Sequence, residues 1–165
     1  MDFITQNLLG AAAAHAAFTK SLGRRATWLG ALGGALPDFD FVLRPFADPA
    51  FPMEFHRHFT HSIVFIPVGG LLATLPFLFS KVVRQKFWLA FAAATVGCAT
   101  HALLDCCTVY GTMWYWPFTH RRIAWDLIAI IDPLFTIPLA IGVVIAWRRT
   151  RAYPAIFALL WCVFY

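Results

Sequence analysis

The chain has 165 residues, 61% of them hydrophobic and only 13% charged, with a formal net charge of +5. A soluble domain of this size does not need so much apolar side chain, so soluble cytosolic and secreted classes are disfavoured and a membrane protein with several apolar segments is expected. The basic residues sit in short clusters between apolar runs, which is the pattern of membrane-topology signals and speaks against a nucleic-acid partner.

Residues 3–19 predict a first, Ala-rich helix carrying His15, followed by Lys20, Arg24 and Arg25, with Gly23 as its stop. Asp2 stands where a signal peptide would have a basic region, and no cleavage pattern follows, so this helix is expected to be retained. Residues 26–36 form a Gly-rich apolar run too short for a standard span. It is expected to be re-entrant or to begin one turn earlier, and it ends at Pro37-Asp38-Phe39-Asp40, where Pro and Asp favour a turn.

Residues 41–58 read as a loop with Pro45, Pro49 and Pro52, ending in His56-Arg57-His58. Phe59 to Phe79 is an apolar run of spanning length opened by Thr60-His61-Ser62, and Lys81, Arg84 and Lys86 make a basic turn after it. Residues 87–110 predict a central membrane helix, and residues 111–126 an aromatic loop suited to a membrane interface, as is His120. Leu127 to Trp147 is expected to span again; Arg148, Arg149 and Arg151 precede a last run that is apolar to Tyr165. That ending fits either a helix stopping at the interface or the N-terminal part of a longer protein. The expected fold is all-α, a polytopic transmembrane bundle of about 5–6 membrane helices, some short or re-entrant, in one domain over residues 1–165.

Cys98, Cys106, Cys107 and Cys162 form no C-x-x-C pair and read as small buried hydrophobes. The informative polar residues are His101 and Asp105, four apart inside the central helix and therefore on one face. Ionisable residues inside a membrane helix are costly and point to function; the plain alternative is a His–Asp hydrogen bond between helices. If the apolar runs alternate across the membrane, loops 20–25, 81–86 and 148–151 hold nine Lys/Arg and no acid, which makes them cytoplasmic. Asp38, Asp40, His56, His61, His101, Asp105, Asp126 and Asp132 then gather toward the outer side. His15 fits this less well, lying nearer the cytoplasmic end.

Imidazole nitrogen and carboxylate oxygen are ligands of catalytic zinc, and suit Mn²⁺ or Fe²⁺ as well. His15, Asp38, His61, His101 and Asp105 are candidate ligands, more than one ion needs, which suggests two or more ions with a bridging Asp. Asp40 could be a further site residue or a brace for its loop, and His56 a ligand or a proton donor to a leaving group. Arg57 could bind phosphate oxygens, and Arg121 and Arg122 could do so or could anchor to anionic lipid. Asp126 and Asp132 could orient ligand imidazoles.

Met1-Asp-Phe-Ile-Thr-Gln6 with His15, Leu36-Pro-Asp-Phe-Asp40, His56-Arg-His-Phe-Thr-His-Ser62, His101-Ala-Leu-Leu-Asp105, Tyr110-Gly-Thr112, Trp116-Pro-Phe118 and Ile131-Asp-Pro133 carry a resemblance. Over essentially its whole length the chain resembles the bacterial inner-membrane-bound, metal-dependent hydrolases described as YdjM-like, LexA-regulated in some bacteria. The order His, Asp, His, His-x-x-x-Asp is also similar to the metal-site order of zinc-dependent phospholipase C, a soluble all-helical phosphodiesterase. That resemblance implies His15, Asp38, His61, His101 and Asp105 as metal ligands, with Asp105 bridging. The phospholipase's second helical His/Glu pair has no counterpart after Asp105.

The expected activity is hydrolysis of a lipid phosphoester or phosphodiester by a metal-activated water, at the outer face of a bacterial inner membrane. The rival readings are a metal transporter or a metal-sensing or structural membrane protein without turnover.

Overall fold

The computed structural model describes residues 1–40 and 59–165. Among them are seven α-helices and no strand beyond an isolated antiparallel bridge between Thr112 and Ile123. The helices are α1 (Phe3–Leu22), α2 (Arg25–Ala35), α3 (Phe65–Thr74), α4 (Lys81–Gln85), α5 (Phe87–Cys106), α6 (Pro133–Arg149) and α7 (Ala152–Phe164). The all-α expectation holds. The loop expected at 41–58 lies outside the described residues.

α1 is the helix the others pack around: it touches α2, α5, α6 and α7. Asp2 caps its start, accepting from Thr5 N at 2.9 Å and from Thr5 Oγ1 at 2.6 Å. Gly23, at φ 60°, ends it in the left-handed conformation that glycine adopts without steric cost. α1, α2 and α5 meet through backbone. A Cβ on Gly30 would lie 2.2 Å from the Gly10 carbonyl oxygen, and one on Gly97 would lie 2.2 Å from the Gly30 oxygen. Small residues permit this approach, which brings the C-terminal turn of α2 against the last turns of α5.

α5 is the one described helix long and apolar enough to cross a membrane, by length and composition. Its 20 residues rise about 30 Å, the thickness of a hydrocarbon core. It ends at Cys106, four residues short of the expected Tyr110, because the following loop takes its last carbonyls. Thr108 Oγ1 donates to Asp105 O, Trp125 N to Cys106 O and Leu127 N to Cys107 O, at 2.8, 2.7 and 2.8 Å.

Two expected spans are shorter than the apolar runs that suggested them. The run 59–79 breaks into a 3-10 turn at Phe59–His61, α3, and a second 3-10 turn at Leu75–Phe77, since Pro76 cannot continue the helical ladder. The second begins at Pro133, not Leu127: the Asp132 carboxylate accepts from Leu134 N and Phe135 N at 3.1 and 3.2 Å, with proline in the first turn. Asp132 is thus a helix cap and also accepts from Tyr165 Oη at 2.9 Å.

The basic clusters meet at one end of the bundle. Arg24 donates from Nε to Trp147 O and from Nη2 to Arg148 O, both at 3.0 Å, and Lys86 Nζ donates to Ser21 O at 2.8 Å. The outer surface carries large apolar side chains such as Ile4, Phe79, Trp88, Leu134 and Phe157, while Gln6, His15, His61, His101 and Asp105 are buried. Polar groups inside and apolar groups outside suit an apolar solvent.

Candidate metal centre

The site lies at the other end of the bundle, where four segments converge. α5 contributes His101 and Asp105 on one face of its last turns, both fully buried. The 3-10 turn Phe59–His61 contributes His61. Residues 36–40, a 3-10 turn that continues from α2, contribute Asp38, and the first turn of α1 contributes Gln6.

His61 Nε2 lies 3.0 Å from His101 Nε2. Asp38 Oδ1 is 3.5 Å from the first of these nitrogens and 3.6 Å from the second; Asp105 Oδ2 is 3.3 and 3.5 Å from them. Asp38, His61 and His101 each offer one ligand atom within 4.8 Å of the others.

Hydrogen bonds on the far side of each ring set which nitrogen carries the proton. His101 Nδ1 lies 2.5 Å from the Gly34 carbonyl oxygen, which can only accept, so Nδ1–H donates there. Gly34 is in the last turn of α2, where carbonyls lack intrahelical partners. Thr60 Oγ1 donates to Asp40 Oδ2 across a long 3.4 Å, which leaves its oxygen to accept from His61 Nδ1–H at 2.9 Å. In neutral imidazoles this directs both Nε2 lone pairs toward the cluster. Asp105 Oδ1 accepts from Gln6 Nε2 at 2.8 Å and from the Met1 α-ammonium at 2.5 Å, so the carboxylate turns its other oxygen to the imidazoles.

This donor set fits a metal ion. Two ligands of one four-coordinate ion, at bond lengths of about 2.0–2.2 Å, stand roughly 3.3 Å apart. The five separations above run from 3.0 to 3.6 Å. Lone pairs crowded at this spacing repel one another, and a cation removes the repulsion.

Of the expected ligands, Asp38, His61, His101 and Asp105 come together. His15 does not: its Nδ1 bonds Thr27 Oγ1 at 2.6 Å. It sits nine positions beyond Gln6 on α1, about 13 Å along the axis. Asp105 presents one oxygen to the histidines, the other being held by Gln6 and Met1, which differs from the expected bridging of two ions. Asp40 stands behind Thr60, not among the ligand atoms. His56 and Arg57 lie outside the described residues. Asp126 is exposed at φ 52°, and Asp132 caps α6. The sequence reading missed Gln6 and Thr60 as functional groups. Their signal was position: Gln6 lies in the first turn of α1, four residues after its cap, and Thr60 directly precedes a ligand candidate.

The family model described as YdjM inner membrane protein matches residues 1–165. Among curated proteins, the chain is similar to the inner membrane protein YbcI of Escherichia coli (strain K12), at 30% identity over 116 residues. The match covers 68% of this chain and 66% of that relative, just under two thirds of its length. No solved structure matches the chain.

Proposed function

The chain belongs to the YdjM inner membrane protein family, and from that premise we propose that it is a multi-pass, metal-dependent hydrolase of a lipid phosphoester or phosphodiester. The observation that carries this reading is that the His61 and His101 Nε2 atoms, 3.0 Å apart, each lie 3.3–3.6 Å from carboxylate oxygens of Asp38 and Asp105, inside a helix bundle with an apolar exterior. His61, His101, Asp38 and Asp105 would hold the ion, with zinc the best match to an N/O set and manganese or iron the alternatives.

When bound, the ion supplies Lewis acidity toward a phosphoryl oxygen and lowers the pKa of water toward neutrality. The chain's own groups do the rest. Gly34 O and the Thr60–Asp40 pair hold the ring tautomers, and Gln6 and the Met1 ammonium fix Asp105. His56 is the candidate proton donor and Arg57 the candidate phosphate-binding group, two residues or fewer before His58-Phe59-Thr60-His61 in sequence. With His15 elsewhere, the described residues supply the complement of one ion; a second ion draws on other donors.

The orientation follows from charge. The nine cations of loops 20–25, 81–86 and 148–151 belong on the cytoplasmic side, and the site faces the periplasm. Helices shorter than the membrane, such as α3 and α7, span with help from their flanking segments.

The test is metal content by elemental mass spectrometry, paired with hydrolysis of phospholipid and lipid-phosphate substrates. One or more equivalents of metal, activity lost on chelation and regained on adding zinc, and loss of both in His101→Ala/Asp105→Ala are expected. Full hydrolysis by that double variant refutes the enzyme reading. Bound metal without turnover on any lipid phosphate favours a carrier or sensor.

A further inference from the structure

A groove of ≈ 530 Å³ runs along the outside of the seam between α6 and α7, far from the metal centre. Its apolar wall includes Ile141, Ile145 and Phe157, and its ends are marked by Pro138 and by Arg149 with Tyr153. From Pro138 to Arg149 the helix rises about 16 Å, close to the thickness of one leaflet's hydrocarbon, roughly half of a 30 Å core. The seam itself is closed by backbone-scale contacts. A Cβ on Gly142 would lie 2.5 Å from Ala158 Cβ. Pro138 has no N–H for the Leu134 carbonyl, and Trp161 Nε1 donates to that oxygen at 3.1 Å instead. The groove is therefore a feature of two helices locked together.

Its polar end has one chemical character. Arg149 Nη1 donates to Tyr153 Oη at 3.0 Å, which sets a guanidinium and a phenol side by side with further N–H and O–H groups to donate. Arg148 and Arg151 flank them, and no Asp or Glu occurs from residue 133 to residue 165. Donors and positive charge at an interface, above one leaflet's length of apolar groove, complement a phosphate ester carrying an acyl chain.

We propose that this groove is a binding site for an anionic phospholipid of the basic-end leaflet, its phosphate on Arg149 and Tyr153 and one acyl chain along Ile141, Ile145 and Phe157. The site is separate from the metal centre, and its occupant is a bound lipid, not the lipid hydrolysed.

Native mass spectrometry of the full chain in detergent, supplied with phosphatidylglycerol or phosphatidylethanolamine, tests it. One phosphatidylglycerol is expected to remain bound under conditions that strip phosphatidylethanolamine. Arg149→Gln/Tyr153→Phe should weaken that retention about fivefold or more. Arg84→Gln, which removes a cation from the same end outside the groove, should leave it unchanged. In parallel, phosphatidylglycerol with a photoreactive acyl chain should cross-link the unaltered protein at Ile141, Ile145 or Phe157, a readout that does not need a variant to fold. Equal retention of the two lipids, equal loss in Arg84→Gln, or cross-links scattered over the exterior overturns the proposal. So does a polypeptide segment found filling the groove.

Discussion

His61 and His101 each have one ring nitrogen tied to oxygen and the other aimed at Asp38 and Asp105. For His101 the tie is a backbone carbonyl that no substitution removes. For His61 it is the Thr60 hydroxyl, itself oriented by Asp40. Thr60→Val keeps the shape and deletes the hydroxyl, so the ring loses its preferred tautomer while the fold stays. Metal affinity in competitive chelator titration should fall about 10–100-fold, and Thr60→Ser should restore most of it. Unchanged affinity in Thr60→Val would leave Thr60 a packing residue only. His101 and Asp105 were legible in sequence because i and i+4 share a helical face. Asp38 was legible as a candidate ligand in a turn, and His61 as one at the opening of an apolar run. The partners Gly34, Gln6 and Thr60 were not, since what marks them is proximity across helices and not residue type.

At the scale of the helix, two close contacts hold the frame. Gly97 stands against the Gly30 carbonyl with no room for a Cβ. Gly97→Ala must push α5 from α2, which also moves His101 from Gly34 O. A cost of about 1–3 kcal/mol is expected, read as a lower Tm in detergent, with weaker metal binding beside it. At the far side, Trp161 closes the gap left by Pro138. Trp161→Phe keeps the ring and deletes the N–H, so the Leu134 carbonyl loses a partner, at about 1 kcal/mol; a Tm equal to that of the parent chain would show that this bond contributes nothing. Helix ends were the least legible part of the fold. Apolar runs gave no sign that Asp132 and Pro133 would start α6 six residues late, or that loop 107–132 would fold back on the end of α5.

Among the described residues, polar side chains are buried beside a core of mostly small apolar residues, large apolar side chains face outward, cations gather at one end and the candidate ligand cluster lies at the other. That asymmetry predicts the orientation. In a cysteine-free background, Thr119→Cys should react in intact cells with a membrane-impermeant maleimide, and Lys81→Cys only after the inner membrane is opened. The reverse pattern would put the metal centre on the cytoplasmic side and exclude a periplasmic substrate.

Sequence by itself determined the helical class, the membrane setting and four of the candidate ligands, because hydropathy, charge clusters and helical spacing are local properties of the chain. Tertiary structure decided which candidates meet. His15 has the same chemistry as His61, yet it lies two and a half turns down α1 from Gln6 and bonds Thr27, because glycine contacts fix the depth at which α1, α2 and α5 cross. Which side chains share one point depends on those crossings, and no residue's own chemistry encodes them.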